Sequence, residues 1–376
     1  MAMERLYVIV LRISKTLSKV VLTLAILLLM YVYFLTLHGS TVEDDADPLL
    51  PDLPIAARRS RLAVDWDEVQ STEEHTKENT PSPNYLLSLD PDIVKRGKWQ
   101  RRQISQYCLK HGLERFISDD LHEYQHLLYD DSKKIIFCYV PKVGCSKWKY
   151  TFLLLNGIIQ FTTKRLPESV LKKTKKLSDL SVIERKKRLV EYFKYVFVRN
   201  PMERVVSAYR NKIARTVNTS LIGEKFEEGY KARILKAFKP AEYNAWLKGG
   251  KKGPMYPTFS EFVQYLTMEN LKKVNEHFQP AIYLCHPCAI NYNFYGNFKL
   301  LPKDADTLLS TFQLNSSYYD NRSYISHKKY NTSELVPNYF SELTSQQKEA
   351  LYYSFADELD FYYSLYPEEK DNHLSL

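Results

Sequence analysis

Two short basic turns carry the residue types best suited to chemistry. The first spans residues 141–147 and reads PKVGCSK, between an apolar run, IIFCYV, and a helix-like run, YTFLLLNG. A turn that opens a helix presents unpaired backbone N–H groups and the positive end of the helix dipole. Gly144 lets the backbone approach a ligand closely. Ser146 adds a hydroxyl donor, Lys142 and Lys147 add charge, and Pro141, Val143 and Cys145 complete the loop. These are the parts of a phosphate or sulfate cradle. The alternative is an ordinary strand-to-helix turn with surface lysines.

The second turn follows the same plan in YVFVRNPMERVVSAYRNK, residues 195–212. An apolar strand ends at Arg199, Asn200-Pro201 stops it, and proline suits the first turn of the helix that continues through Met202, Glu203, Arg204, Val205, Val206 and Ser207. An arginine at a strand end can fork onto a phosphate, and Ser207 reaches the same anion if the ligand lies along the helix. Arg204 and Arg210 add charge, with Arg204 alternatively pairing with Glu203 or Glu191 at the surface. Two anion turns at neighbouring strand ends suit a ligand with two separated anionic groups, such as a nucleotide phosphorylated at 5′ and 3′. No G-x-x-x-x-G-K-[ST] or G-x-G-x-x-G segment occurs, which argues against an ATP-type P-loop and a dinucleotide site.

The elements that must hold these turns are legible as pattern. Strands are expected at 134–140 and 192–198, and helices at 147–155, 203–212, 259–266, 305–312 and 345–355. Strands alternating with helices predict an α/β domain with a mainly parallel sheet flanked by helices, where ligands bind beyond the strands' carboxyl ends. The folded part is expected to start near Gln103 and the domain to run over 103–376.

The remaining segments suggest a topology. Residues 20–37, VVLTLAILLLMYVYFLTL, are uncharged and just long enough to span a bilayer. Arg5, Arg12, Lys15 and Lys19 precede them and Glu43, Asp44, Asp45 and Asp47 follow, which predicts a cytoplasmic tail at 1–19, a signal anchor at 20–37 and a lumenal remainder. A cleaved signal peptide is the rival, but residues 37–40, LHGS, form a poor cleavage site. Residues 38–102 are polar and proline-bearing and read as a stem. In a lumenal chain Asn218, Asn315, Asn321 and Asn331 head glycosylation sequons. Of the 5 cysteines, Cys138 in the apolar strand reads as a buried thiol and Cys145 belongs to the first turn. Cys108, Cys285 and Cys288 are then the bridge formers, with the pairing open. HFQPAIYLCHPC, residues 277–288, matches no common zinc spacing.

The chain has 376 residues, 44% of them hydrophobic, and a net charge of +9. The core can be sizeable, and the charge suits an acidic partner: nucleic acid, a membrane surface or an acidic polysaccharide. Part of it is concentrated at residues 164–194, where eleven Lys and Arg face four acids. That run is either a solvated face or a guide surface for a polyanion.

At this point the sequence resembles a known family. PKVGCSKWK looks like the 5′-phosphosulfate loop, and RNPMERVVSAYRNK the 3′-phosphate motif, of the Golgi carbohydrate sulfotransferases, the group of the chondroitin and dermatan 4-O-sulfotransferases and the HNK-1 sulfotransferase. The resemblance continues through NEHFQPAIYLCHPCAINYNFYGNFKLLPKDA, residues 275–305, and into DELDFYYSLYP, residues 357–367. It implies a P-loop-like sulfotransferase fold behind a type II anchor in the Golgi membrane. It also implies 3′-phosphoadenosine 5′-phosphosulfate as donor, held by residues 141–147 and 199–207. Relatives usually carry Asn at Lys147, Arg at Tyr150, Asp or Glu at Asn200 and Trp at Phe278, while Lys142, Arg199 and Ser207 are kept here.

The implied reaction is in-line sulfuryl transfer to a glycan hydroxyl. Lys142 is expected to neutralise the leaving 5′-phosphate, and His277, with Glu276 second, to take the hydroxyl proton. The chemistry calls for no metal and no nucleic-acid partner. The expected acceptor is an acidic glycosaminoglycan or glycoprotein glycan, with position 4 of N-acetylgalactosamine in chondroitin- or dermatan-type chains leading. The alternatives are a glucuronic acid 3-hydroxyl, terminal N-acetylgalactosamine, or a membrane-anchored glycan-binding protein without turnover. A lumenal nucleotide kinase is a further class, but no Walker lysine stands in frame.

Overall fold

The computed structural model describes residues 90–113, 120–162, 166–214, 224–250, 255–319 and 332–370. The expected anchor at 20–37, most of the stem, and Asn218, Asn321 and Asn331 lie outside them. Among the described residues no helix is long and apolar enough to cross a membrane.

Helix α1 (Pro91–Lys110) opens on Asp90, whose carboxylate accepts from the Asp92 N–H, with proline in the first turn. It is part of the folded body although it begins ahead of the Gln103 start expected from sequence. Arg96 forks onto the buried Asp304 at 2.8 and 3.0 Å, and Gln100 Nε2 donates to the Tyr295 carbonyl at 2.6 Å. The polar, weakly periodic sequence hid this, because few of its residues, Ile93, Ile104, Tyr107 and Cys108, join the core and specific polar contacts do the rest.

Strands β1 (Leu127–Asp130), β2 (Ile135–Cys138), β3 (Phe193–Val198) and β4 (Phe294–Asn297) form one sheet in the order β1-β2-β3-β4. The β1–β2 pair is antiparallel; β2–β3 and β3–β4 are parallel, with Ile135 opposite Phe193 and Tyr195 opposite Phe294. All four strands are buried along their length, which explains why IIFC and FKYVFV read as continuous rather than alternating apolar runs. Lys194 sits inside β3 and is buried. Its ammonium donates to the carbonyls of Leu189 and Tyr192, at 2.7 and 3.0 Å.

The crossovers hold helices α2 (Cys145–Leu155), α3 (Glu168–Leu171) and α4 (Val182–Glu191) between β2 and β3. After β3 come α5 (Pro201–Lys212), α6 (Glu224–Phe238), α7 (Pro240–Lys248), α8 (Phe259–Met268) and α9 (Ala281–Cys285). After β4 follow α10 (Leu301–Thr311), α11 (Thr332–Ser341), α12 (Ser345–Ser354) and α13 (Ala356–Leu365). Reciprocal capping boxes start α4 (Ser181, Glu184), α8 (Thr258, Glu261) and α12 (Thr344, Gln347). One apolar cluster surrounds the sheet, with Phe137, Tyr195 and Phe197 each in ring contact with Trp148. A second joins α5, α8, α11 and α12 through Val205, Phe259, Phe262, Phe340 and Leu351.

Two disulfides stitch these layers, Cys108–Cys288 and Cys138–Cys285. This corrects the reading of Cys138 as a buried thiol. Its partner is 147 residues away in sequence, and only the fold brings the two Cα atoms to 5.9 Å. An apolar strand suits a thiol and a disulfide alike, so local sequence could not separate them. The leftover cysteine is Cys145, in the first turn.

Candidate active site

Both turns sit at the carboxyl ends of neighbouring parallel strands, β2 and β3, where open α/β sheets bind ligands. They are not built alike. The N-cap of α2 is Gly144, at φ 74°, and it offers no side-chain acceptor to the first-turn amides. A Cβ at Gly144 would stand 2.7 Å from Leu301 Cδ2, the movable end of a side chain, so it is mainly the left-handed φ that favours glycine here. Lys147 N–H bonds the Gly144 carbonyl at 3.2 Å, which leaves the amides of Cys145 and Ser146 for a ligand. Lys142 also lies in the left-handed region, at φ 71°. Its strained backbone is held by Arg199, whose Nη1 donates to the Lys142 carbonyl at 3.1 Å.

In the second turn the helix start is already satisfied. Asn200 Oδ1 accepts from the N–H groups of Met202 and Glu203, at 3.0 and 3.2 Å. Asn200 is therefore a cap, and the α5 N-terminus has no free cradle of the kind α2 has. Met202, Val205 and Val206 are core residues of the helical cluster. What faces a ligand here is side-chain chemistry. Arg199 lies over the Phe298 ring at 4.3 Å, gives Nε to Glu203 at 3.3 Å, and its Nη2 has no protein acceptor among the described residues. Ser207 is half-buried, two turns along α5.

Arg204 departs most from expectation. It does not pair with Glu203 or Glu191 at the surface; it is 1% exposed. Nε donates to the Pro141 carbonyl at 3.1 Å and Nη2 to the carbonyls of Glu276 and Gln279 at 3.2 and 2.6 Å. Nη1 lies 3.7 Å from the buried carboxylate of Glu358. Glu203 pairs instead with Arg199.

The loop carrying Glu276 and His277 is brought to the same place. Phe278 anchors it in the helical core against Phe262 and Tyr230, at ring separations of 5.1 and 5.4 Å. Asn275 Oδ1 accepts the His277 backbone N–H at 3.0 Å and lies 2.7 Å from His277 Nδ1. Accepting that backbone N–H identifies the atom as the amide oxygen, so Nδ1 carries the imidazole proton and Nε2 keeps its lone pair. Burial, followed by the charges of Lys212, Lys142, Arg204 and Lys149, holds the imidazolium form well below the usual range. His277 is thus a neutral imidazole facing cations. Glu276 is differently occupied: its carboxylate is 3.4 Å from Nε2 of the buried His126, whose Nδ1 donates to the Tyr139 carbonyl. Burial brings His126 down to about 4, with Glu276 opposing that shift.

Lys142 is the other displaced group. Desolvation, helped by the neighbouring Arg199, Lys212 and Arg210, lowers its ammonium to about 8. An ammonium that loses solvent among other cations is held ready for an anion. Lys149, 9% exposed, rests 3.7 Å over the Tyr139 ring and adds to the same positive field.

Asn275 was legible as an Asx-type turn in NEHF; Lys149, Tyr139, His126 and Glu358 carried no local signal. The basic run of residues 164–194 divides. Arg185 is buried over Tyr124, Arg188 binds Asp131 at 2.8 Å, and Lys194 is inside β3. Lys172, Lys173 and Lys175 are exposed, and Lys176 bridges to Leu128 at the edge of β1, close enough to act on His126.

Comparison with known proteins places this arrangement. The model of the sulfotransferase family matches residues 125–364, which include both turns and the His277 loop. Carbohydrate sulfotransferase 14 of Homo sapiens is 32% identical over 229 residues, 60% of this chain and 57% of the relative. Carbohydrate sulfotransferase 11 of Mus musculus is 33% identical over 249 residues, 64% of this chain and 68% of the relative. Carbohydrate sulfotransferase 9 of Homo sapiens is 29% identical over 299 residues, 75% and 63% respectively. The match spans about half the length of the carbohydrate sulfotransferase 14 relatives, 57% in Homo sapiens and 47% in Danio rerio. No solved structure matches the chain. Because the matched region takes in both strand-end turns and the histidine loop, the chain belongs to the sulfotransferase family, among the carbohydrate sulfotransferases.

Proposed function

We propose that the protein transfers a sulfuryl group from 3′-phosphoadenosine 5′-phosphosulfate to a glycan hydroxyl, with position 4 of N-acetylgalactosamine in a chondroitin- or dermatan-type chain as the leading acceptor. The observation that carries this is the pairing of an uncapped helix start beside a desolvated Lys142 with a neutral His277 in the same positive field. A cradle with free amides and an ammonium suits a leaving phosphate; an imidazole with a free Nε2 suits removal of a hydroxyl proton.

The donor supplies an activated sulfuryl group. The Cys145 and Ser146 amides, the Ser146 hydroxyl and Lys142 would hold its 5′ side, and Lys142 would offset charge growing on the bridging oxygen. Arg199 through Nη2, with Ser207, would hold the 3′-phosphate, a positioning role. His277 Nε2 would accept the acceptor's proton as the hydroxyl oxygen attacks sulfur. Glu276, which accepts a hydrogen bond from the Tyr139 hydroxyl, is the weaker candidate base. Binding of the anionic donor offsets the cations around His277 and raises its basicity when a base is needed.

Exposed Lys172, Lys173 and Lys175 at the β1 side support an acidic chain as acceptor, and the relatives' names specify carbohydrate. Two disulfides suit an oxidising compartment, which agrees with a Golgi lumenal placement behind an anchor at 20–37. The test is transfer of radiolabelled sulfate from the donor to chondroitin, dermatan and a neutral N-acetylgalactosamine-terminated glycan. Incorporation into position 4 of chondroitin or dermatan is expected. Label in the neutral glycan alone would move the acceptor, and no label in any glycan would leave a binding protein.

A further inference from the structure

Arg204 makes contacts that neither ligand binding nor helix packing calls for. Its side chain is sealed from solvent. Three of its hydrogen bonds go to backbone carbonyls of two separate segments: Pro141 on one side, Glu276 and Gln279 on the other. Pro141 immediately precedes Lys142, and Glu276 immediately precedes His277. A buried guanidinium is expensive to desolvate, and an apolar side chain of similar size would pack α5 as well. Only a planar fork of N–H donors can hold carbonyls of both segments at once.

The counterion reinforces this. Glu358, from α13 and 3% exposed, faces Nη1 at 3.7 Å, and its other oxygen accepts the Ala281 N–H at 2.6 Å. Ala281 starts α9, directly beyond the His277 loop. That loop is thus held at its middle by Arg204 and at its end by Glu358.

We propose that Arg204, supported by Glu358, is a positioning residue that sets the separation between the Lys142 ammonium and the His277 imidazole, and does not itself touch the donor. The proposal rests on the sulfotransferase reading for its kinetic consequences, but not for its geometry. A shift of the order of an ångström between a leaving-group cation and a base costs about 100-fold in turnover. The two residues lie on different segments, and Arg204 is hydrogen-bonded to both of these.

Arg204→Lys keeps the charge but concentrates its donors at one point, so it cannot hold both segments. In the full chain this variant is expected to lower kcat about 100-fold, while the Kd for adenosine 3′,5′-bisphosphate changes by less than about threefold. The double variant Arg204→Met/Glu358→Leu removes the pair without stranding a buried charge. The Pro141, Glu276 and Gln279 carbonyls and the Ala281 N–H lose these partners, so its Tm is expected to fall; assayed below that Tm, it is expected to remain as slow as Arg204→Lys. A readout independent of turnover is the rate at which diethyl pyrocarbonate modifies His277, followed by peptide mapping; both variants are expected to change it.

Recovery of the parental kcat in the double variant would make the pair merely structural and overturn the proposal. A loss of bisphosphate affinity in step with kcat would also overturn it, since Arg204 would then touch the donor. If the parent protein transfers sulfate to no glycan while the His277 modification rate still responds to Arg204→Lys, the sulfotransferase reading fails and the positioning role stands. An unchanged modification rate together with unchanged kcat rejects the positioning role alone.

Discussion

Lys142→Met isolates the cost of holding an ammonium ready for an anion. The lysine's charged form is disfavoured in the fold, its pKa falling from 10.5 to about 8, mainly through desolvation and secondarily through Arg199, Lys212 and Arg210. The sign follows from which state binds more protons. Between pH 8 and 10.5 the unfolded chain holds the proton and the folded chain does not, so stability rises with pH across that window. Below pH 8 both states are charged and the folded state carries the full penalty. A depression of this size corresponds to about 3 kcal/mol as an upper bound; partial exposure of the side chain reduces it to roughly 1–2 kcal/mol. Methionine keeps an unbranched stem and the same left-handed backbone cost, so the difference reports the charge.

The expected result at pH 7 is a Tm raised by about 3–6 °C in the absence of nucleotide, together with loss of sulfate transfer. Adenosine 3′,5′-bisphosphate should raise the Tm of the parent more than that of the variant, because it offsets the penalty only where the ammonium is present. Thermal unfolding with and without the bisphosphate, at pH 7 and pH 9.5, checks each part. A variant less stable than the parent at pH 7 would refute the desolvation reasoning. Near-parental turnover would refute the leaving-group role.

His277→Gln should lower kcat by about 10²–10⁴-fold with the bisphosphate Kd unchanged, measured by steady-state kinetics and calorimetry. Because His277 is held neutral well below 6.5 in the donor-free protein, kcat/KM for the donor should show no acidic limb near 6.5, and should decline as pH rises through about 8 with loss of the Lys142 charge; a limb centred on 6.5 would contradict the cationic surroundings. Cys138→Ser with Cys285→Ser should destabilise the fold by about 2–5 kcal/mol, read from denaturant midpoints, whereas Cys145→Ser should leave the midpoint unchanged. Changing Lys172, Lys173, Lys175 and Lys176 to Gln should raise the KM for chondroitin and flatten its salt dependence, with the donor KM and the KM of a neutral acceptor unmoved; an equal rise for all substrates would point to misfolding instead.

Much of this protein was legible locally. Strands β2 and β3 announced themselves because a sheet covered on both faces needs unbroken apolar runs. Gly144 announced a close approach, and Asn200-Pro201 announced a helix start, because these residue types act on their own backbone within a turn. Helices α8 and α12 were expected at 259–266 and 345–355, and the capping boxes that start them are local to those segments. Where sequence reasoning stopped, the cause was distance along the chain. Cys138 and Cys285 are 147 residues apart, and nothing around either one names the other. Asn200, expected in the donor site, is a cap, because its side chain has backbone donors two and three residues away that satisfy it first.

Arg204 looked like a surface or phosphate-binding arginine, since a charged side chain in an amphipathic helix is usually solvated. Tertiary packing instead buried it against carbonyls 63, 72 and 75 residues away. The likeness of the basic run to a single guide surface failed for the same reason: Arg185 and Lys194 were absorbed into the core, and only part of the run kept its water. Residue type and short-range spacing pointed to an anion site and roughly to the loops that would form it. Which of two adjacent residues is free to act as a base, and which cation faces a ligand rather than a carbonyl, depended on partners supplied by other elements, because a side chain's protonation and reach are set by what surrounds it in space.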